Sequence, residues 1–291
     1  MATGATEFID STTHDVFIPE RWSGPLIVAR EAALIMARGV DLRYTPALSG
    51  GGDIVNIGSV GNLTAQTKVK ASNAATSYET ITETNVQVTV ATWGYSAVAV
   101  ESIVDVQSYE KAAKQYAPKQ GFALALQSDD TLAGHPDDFT NATGSLAATS
   151  PYSDYLRAVQ YLDDANAPQE DRWFGVAPAE VAGLLQMKEY VHNDYSMLHG
   201  SGPAMTSRER AYVTSFLTIP VYKSTNVEGT NAAGHDNFLM HREAIAFILQ
   251  QEPTMWGPFR DVDYFATKIA FEQIYGSAIT RNDHGVFMRG A

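Results

Sequence analysis

The sequence predicts an α+β protein, and three observations point there. Two β-patterned tracts flank a polar stretch without apolar periodicity, within residues 53–100. An Ala-rich segment with helical spacing follows. Helical and strand-like segments then alternate from Pro136, as in an α/β or α+β subdomain, before the chain returns to β character at its C-terminal end. A chain of 291 residues can bury one large core or two ordinary ones. Hydrophobic residues make up 45% and charged residues 18%, an ordinary balance that excludes general disorder.

Taken in order, the region up to Arg43 is polar and irregular apart from one helical segment, "SGPLIVAREAALIMARGVD". Ser23 suits its N-cap and Gly39 its C-cap, with Leu26, Ile27, Leu34, Ile35 and Met36 apolar. "GDIVNIG" alternates Ile54, Asn56 and Gly58 against Val55 and Ile57. The polar "SVGNLTAQTKVKASNAATS" follows. In "YETITETNVQVTVATWGYSAVAV", Val86, Val88 and Val90 recur at period two. Two long strands joined by a polar tip are expected.

"ESIVDVQSYEKAAKQYAPKQGFALALQSDDTLAG" has Tyr109, Ala112, Ala113 and Tyr116 at helical spacing. Pro118 predicts a kink there, or two collinear helices, with the end at Gly134. Next come a helix over Tyr152 to Asn166, a strand in "RWFGVAP" and a helix from Pro178. A polar loop, "HNDYSMLHGSGPAMTSRER", leads to one apolar strand, "AYVTSFLTIPVYKS". "DNFLMHREAIAFILQ" reads as strand, turn, strand, and "DYFATKIAFEQIYGSAIT" as a long strand.

The chemistry is sparse. Net charge is −13 and no run of Lys or Arg exceeds two, so no basic footprint for gripping nucleic acid exists. Cysteine is absent, which removes disulfides and thiolate chemistry. The first twenty residues lack a basic start and an apolar stretch, so no signal peptide is expected, and no segment has the apolar length of a membrane span. "LSGGGDIVNIGSVGN" fails as a phosphate cradle: Gly52 is followed by Asp53 and a strand, where a P-loop requires Lys-Ser/Thr and a helix. Gly50, Gly51 and Gly52 read instead as a hinge. None of the seven histidines has the two-histidine spacing of a metal motif, and "GHPDDF" and "NDHG" read as turns. Neither GxSxG nor HExxH occurs. No catalytic, cofactor-binding or metal residue is assigned.

The long excursion is then the informative feature. Ser59 to Glu83 carries little apolar surface, and an isolated two-stranded ribbon is marginal in water. A neighbouring subunit that covers it resolves both its stability and its exposed edges. The polar N-terminal arm raises the same problem. The expectation is an obligate head-to-tail assembly that closes into rings or shells.

From "GDIVNIG" through "DDTLAG" the order of segments resembles the extension loop and spine helix of tailed-bacteriophage major capsid proteins, whose fold is named after bacteriophage Hong Kong 97. "IPVYKSTNV", "DNFLMHREAIAFILQQEP" and "YGSAITRNDHGVFM" resemble later strands of that fold. The resemblance implies an N-terminal arm (1–52), an extension loop (53–95), a peripheral domain (96–134 and 235–291) with a spine helix from about Ser108 to Ala133, and an axial domain (135–234). Residues Met197 to Arg208 would lie near capsomer centres. Gly50, Gly51 and Gly52 would be the hinge of the extension loop, and Lys68 and Lys70 on its tip would pair with a neighbour's carboxylates. Hexamers and pentamers of an icosahedral shell would enclose double-stranded DNA without sequence-specific binding. A separate scaffolding protein, a portal and decoration proteins would be its partners, with assembly in the host cytoplasm and no membrane. The alternatives are an encapsulin-like nanocompartment, whose usual N-terminal amphipathic helix "MATGATEFIDSTTHDVF" does not match, and a soluble enzyme with a site assembled across segments.

Overall fold

A computed structural model describes residues 34–48, 50–70, 75–103, 112–145, 148–184, 186 and 212–290, all within one compact unit that begins at Ala32. Its strands are β1 (Ile54–Val60), β2 (Glu83–Thr89), β3 (Thr92–Glu101), β4 (Asn141–Gly144), β5 (Arg172–Val176), β6 (Tyr212–Phe216), β7 (Ile219–Lys223), β8 (Gly229–Thr230), β9 (Gly234–His241), β10 (Ile245–Asp261), β11 (Ala266–Ile279) and β12 (Gly285–Gly290). The helices are α1 (Ala112–Ala133), α2 (Tyr152–Asp164) and α3 (Pro178–Leu184). The expected α+β class is the class observed.

Seven strands form one sheet, ordered β4-β12-β9-β5-β7-β6 with β8 beside β9. Its pairs are antiparallel except β12 with β4 and β5 with β7. Period-two alternation sends its side chains to two cores. Phe174, Val176, Val221, Leu239, Val286 and Met288 meet Tyr155 and Leu162 of α2 and Leu184 of α3. Trp173, Tyr222, Phe238, Met240 and Phe287 point the other way, toward Ile35, Met36 and Val40 and the end of α1. Burying both faces explains why these strands read as nearly continuous apolar runs.

A second sheet, β10-β11-β3, is antiparallel throughout. Helix α1 packs on β3 and β11, and side-chain amides fasten it. Gln120 Nε2 donates to the carbonyls of Ser96 (3.1 Å) and Ile269 (3.2 Å), and Gln273 Nε2 donates to that of Leu124 (2.8 Å). These bonds satisfy polar groups that the contact would otherwise strand.

Three sequence expectations change. The tract over residues 78–100 is two strands, not one: β2 stays in the ribbon, and the chain crosses at Val90-Ala91 into β3 of the second sheet. The crossing passes over Gly276, where a Cβ would lie 2.3 Å from the Thr89 carbonyl oxygen. "AYVTSFLTIPVYKS" is a hairpin, β6 with β7, turning at Leu217 and Thr218 with φ of 47° and 70°. No Gly or Asn marked that turn. Helix α1 runs through Pro118 as one helix, so of the two forms expected it is the single long helix and not a collinear pair. β10 continues well past Gln250, into a hairpin with β11. Of the N-terminal helix, the described part is the 3₁₀ turn Met36–Arg38, where the Gly39 amide does return to the Met36 carbonyl. Ser23, Ser108 and the loop Met197 to Arg208 lie outside the described residues. Among those residues no helix is long and apolar enough to cross a membrane.

Candidate assembly interface

Strands β1 and β2 pair in register from Ile54 with Thr89 to Val60 with Glu83. The Gly61 amide adds one bond to the Thr82 carbonyl (2.9 Å). Beyond it, the described residues of the tip form no strand, tied across only where the Thr64 amide donates to Glu79 (2.8 Å). Val60, Leu63, Val69, Tyr78 and Ile81 all expose apolar surface there, Tyr78 at 91%. Lys68 and Lys70 are exposed and make no ion pair among the described residues.

At its base the ribbon is anchored. Val55, Val88 and Val90 pack with Leu48, Ala246 and Ile248, and the Val90 amide donates to the Asp53 carbonyl (2.7 Å). The three glycines precede this anchor and differ from one another. Gly51 and Gly52 have φ of 98° and 115°, a region essentially reserved for glycine. Gly50 lacks a positive φ and faces open space. Gln250 Nε2 holds the Gly52 carbonyl (2.9 Å), fixing the glycine turn to β10.

A second exposed surface was not anticipated from the sequence. The outer half of the β10–β11 hairpin exposes Met255, Trp256, Phe259, Val262, Tyr264 and Phe265, beside Trp93 and Tyr95 of β3. Glu272 ties this face together, accepting from Trp256 Nε1 (2.7 Å), Trp93 Nε1 (3.0 Å) and Gln251 Nε2 (3.0 Å). The bond from Gln251, then those from the tryptophans, hold its carboxyl below the usual range. The density of aromatics in "TMWGPFRDVDYF" was the available signal. Contiguous exposed apolar patches of this kind mark interaction surfaces.

No protein-family model and no curated protein matches the chain. Solved structures do. A chain of Mycobacterium phage Che8 superposes with a TM-score of 0.76 at 24% identity, covering 94% of this chain and 97% of its own. The capsid structure of the cyanophage P-SCSP1u gives 0.73 at 16% identity over 98% and 99%. The mature capsid of bacteriophage PhiM1 gives 0.72 at 14% over 94% and 92%. The chain has the phage-capsid fold. In this capsid fold the ribbon and the aromatic hairpin carry most of the exposed large apolar side chains, while the two helix-backed sheets hold the buried cores.

Between ribbon and body runs a polar groove of about 680 Å³, lined by Ile57, Ser59, Thr84, Arg43, Glu243 and Asn282 among others. Arg43 organises one wall, bonding Asp41 at 2.7 Å and Glu243 at 2.8 Å. Burial pushes the Asp41 carboxyl up, but its hydrogen bonds from Arg43 more than reverse this and leave it below the ordinary range. Behind that wall the capsid fold brings together residues that sequence spacing missed. His241, Glu243 and His284 converge from two turns, with the imidazoles buried and edge-to-face at 5.8 Å. Burial pushes both imidazoles below their ordinary value. The contexts "MHR" and "NDH" gave no sign of this meeting, because pairing of β10 with β11 creates it.

Proposed function

We propose that this chain is the major capsid protein of a tailed double-stranded DNA bacteriophage, a structural subunit that self-assembles into an icosahedral shell and is not an enzyme. The observation that carries the reading is full-length likeness to phage capsid chains: the superposition on the cyanophage capsid covers 98% of this chain and 99% of the other. The exposed ribbon and the aromatic hairpin support it, since both present apolar side chains that a monomer would bury only against another subunit.

Within that reading, residues 53–95 are the extension loop, 96–134 and 235–291 the peripheral domain with α1 as its spine, 135–234 the axial domain and 1–52 the arm. Gly51 and Gly52 form the bend from which the loop leaves, with Gly50 as a spacer. Lys68 and Lys70 meet carboxylates of a neighbour in a hexamer or pentamer; exposed pairs of this kind contribute ~0–1 kcal/mol each, so Val69, Tyr78 and their apolar neighbours carry more of the contact. The shell encloses DNA in the host cytoplasm with the help of a separate scaffolding protein and a portal, and decoration proteins are further partners. Negative-stain electron microscopy of the chain, expressed alone and with candidate scaffolding proteins, tests the proposal. Closed shells, tubes or capsomer rings are expected. A single-chain species under every condition would contradict it.

A further inference from the structure

We propose that His241, Glu243 and His284 form a binding site for one divalent ion of the zinc and nickel class, which clasps the two turns where the seven-stranded and three-stranded sheets exchange strands. His241 closes β9, and Glu243 lies in the 3₁₀ turn Arg242–Ala244 that leads into β10. His284 ends the 3₁₀ turn Asn282–His284 between β11 and β12. Backbone bonds fix the spacing of these turns: the Ala244 carbonyl accepts from the amides of Thr280 (2.8 Å) and Arg281 (3.2 Å).

One ligand atom from each of the three residues lies within 4.8 Å of the others. Donors bound to one zinc at about 2.0–2.2 Å stand closer than this, so small side-chain rotations close the set. An unsatisfied buried atom belongs to the same cluster. His284 is 4% exposed, and its Nδ1 is buried without a hydrogen-bond partner among the described residues. Buried polar atoms are rarely left so, and an ion is one of the things that satisfies them. Among the described residues the His241 ring has one long bond, accepted at Nδ1 from the Glu243 amide at 3.2 Å, which coordination can replace.

The donor set selects the ion. Two imidazoles and a carboxylate, in a protein without cysteine, suit zinc, nickel and cobalt better than magnesium or calcium, which prefer all-oxygen sites. Arg43 holds one Glu243 oxygen at 2.8 Å, the outer contact that typically orients a ligating carboxylate, while the other oxygen lies 3.9 Å from Arg281. Charge does not bar a cation: the carboxylates of Asp171, Asp283 and Glu243 act on the imidazoles against the guanidiniums of Arg172 and Arg281. His241 and Glu243 also line a cleft of about 310 Å³ that gives an entry path. Three protein ligands leave a position for water or for a group from an adjoining copy of the chain.

The test uses the purified full-length chain without a histidine tag, stripped with a chelator and titrated with zinc, with cobalt as a visible probe and magnesium as control. The expected result is one zinc per chain, cobalt absorption bands of a nitrogen–oxygen site, and a higher melting temperature with zinc but not with magnesium. His284→Gln and Glu243→Gln should each weaken zinc binding by at least about tenfold. Glu243→Gln keeps an acceptor for Arg43, so it remains informative if His284→Gln fails to fold. Zinc binding that both variants leave unchanged, or no binding at micromolar zinc, would overturn the proposal.

Discussion

Asp129 shows how one side chain secures the entry to the fold. It sits on α1, fully buried, accepting from the Met36 amide (2.8 Å) and from Asn226 Nδ2 (3.1 Å). Asp129→Ala strands one buried and one half-buried donor, and a loss of about 2–4 kcal/mol in a denaturant melt is expected. Burial pushes this carboxyl above its ordinary 3.8, so on acidification the native state binds the proton before the unfolded state does. Its contribution to stability is full below that value and is lost as pH rises through the folded pKa. His135 has the opposite sign. Burial lowers its imidazole from an ordinary 6.5, with Nε2 2.8 Å from the Ser277 hydroxyl. Its contribution is present above pH 6.5 and is lost as pH falls from there through the folded pKa. His135→Gln should remove that acid-side loss, as urea melts above and well below pH 6.5 would reveal.

At the scale of elements, backbone conformation decides more than side-chain contact. Gly51→Ala and Gly52→Ala force a Cβ into φ of 98° and 115°, a strain of order 1–3 kcal/mol, whereas Gly50→Ala should lie within about ±0.5 kcal/mol. Particle yield should follow the same order; equal effects at all three positions would refute a role set by backbone angle. The β6–β7 turn makes a converse case. Thr218 is β-branched at φ 70°, so Thr218→Gly should raise stability by about 0.5–1 kcal/mol in thermal melts. These examples mark the limit of what the sequence reveals. The ribbon, α1, the strand–turn–strand over β9 and β10, and β11 were legible because local periodicity dictates them. The β6–β7 turn was hidden because Leu217 and Thr218 lack turn chemistry, and the β2–β3 break because Val86, Val88 and Val90 keep their alternation up to the crossing. The meeting of His241 with His284 and the aromatic face around Glu272 arise from strand pairing between distant segments, which local pattern does not encode.

Across the whole molecule, large apolar surfaces stay exposed in one chain. Tyr264 and Phe265 are more than 70% exposed at the hairpin tip, so replacing both with Ser should leave the melting temperature of the unassembled chain nearly unchanged while lowering shell yield. The ribbon makes the stronger demand, because its tip lacks a core of its own and projects apolar side chains from Leu63 to Ile81. In the proposed shell a neighbouring subunit completes these residues. Sedimentation velocity of the full-length chain beside a deletion of Gly61 to Ser77 tests it most directly, with circular dichroism confirming that both are folded. The prediction is that the full chain sediments as capsomers or shells, and that the deleted chain, folded, sediments as single subunits or unstable small oligomers. Shells of equal stability from the deleted chain would show that no neighbour completes the ribbon.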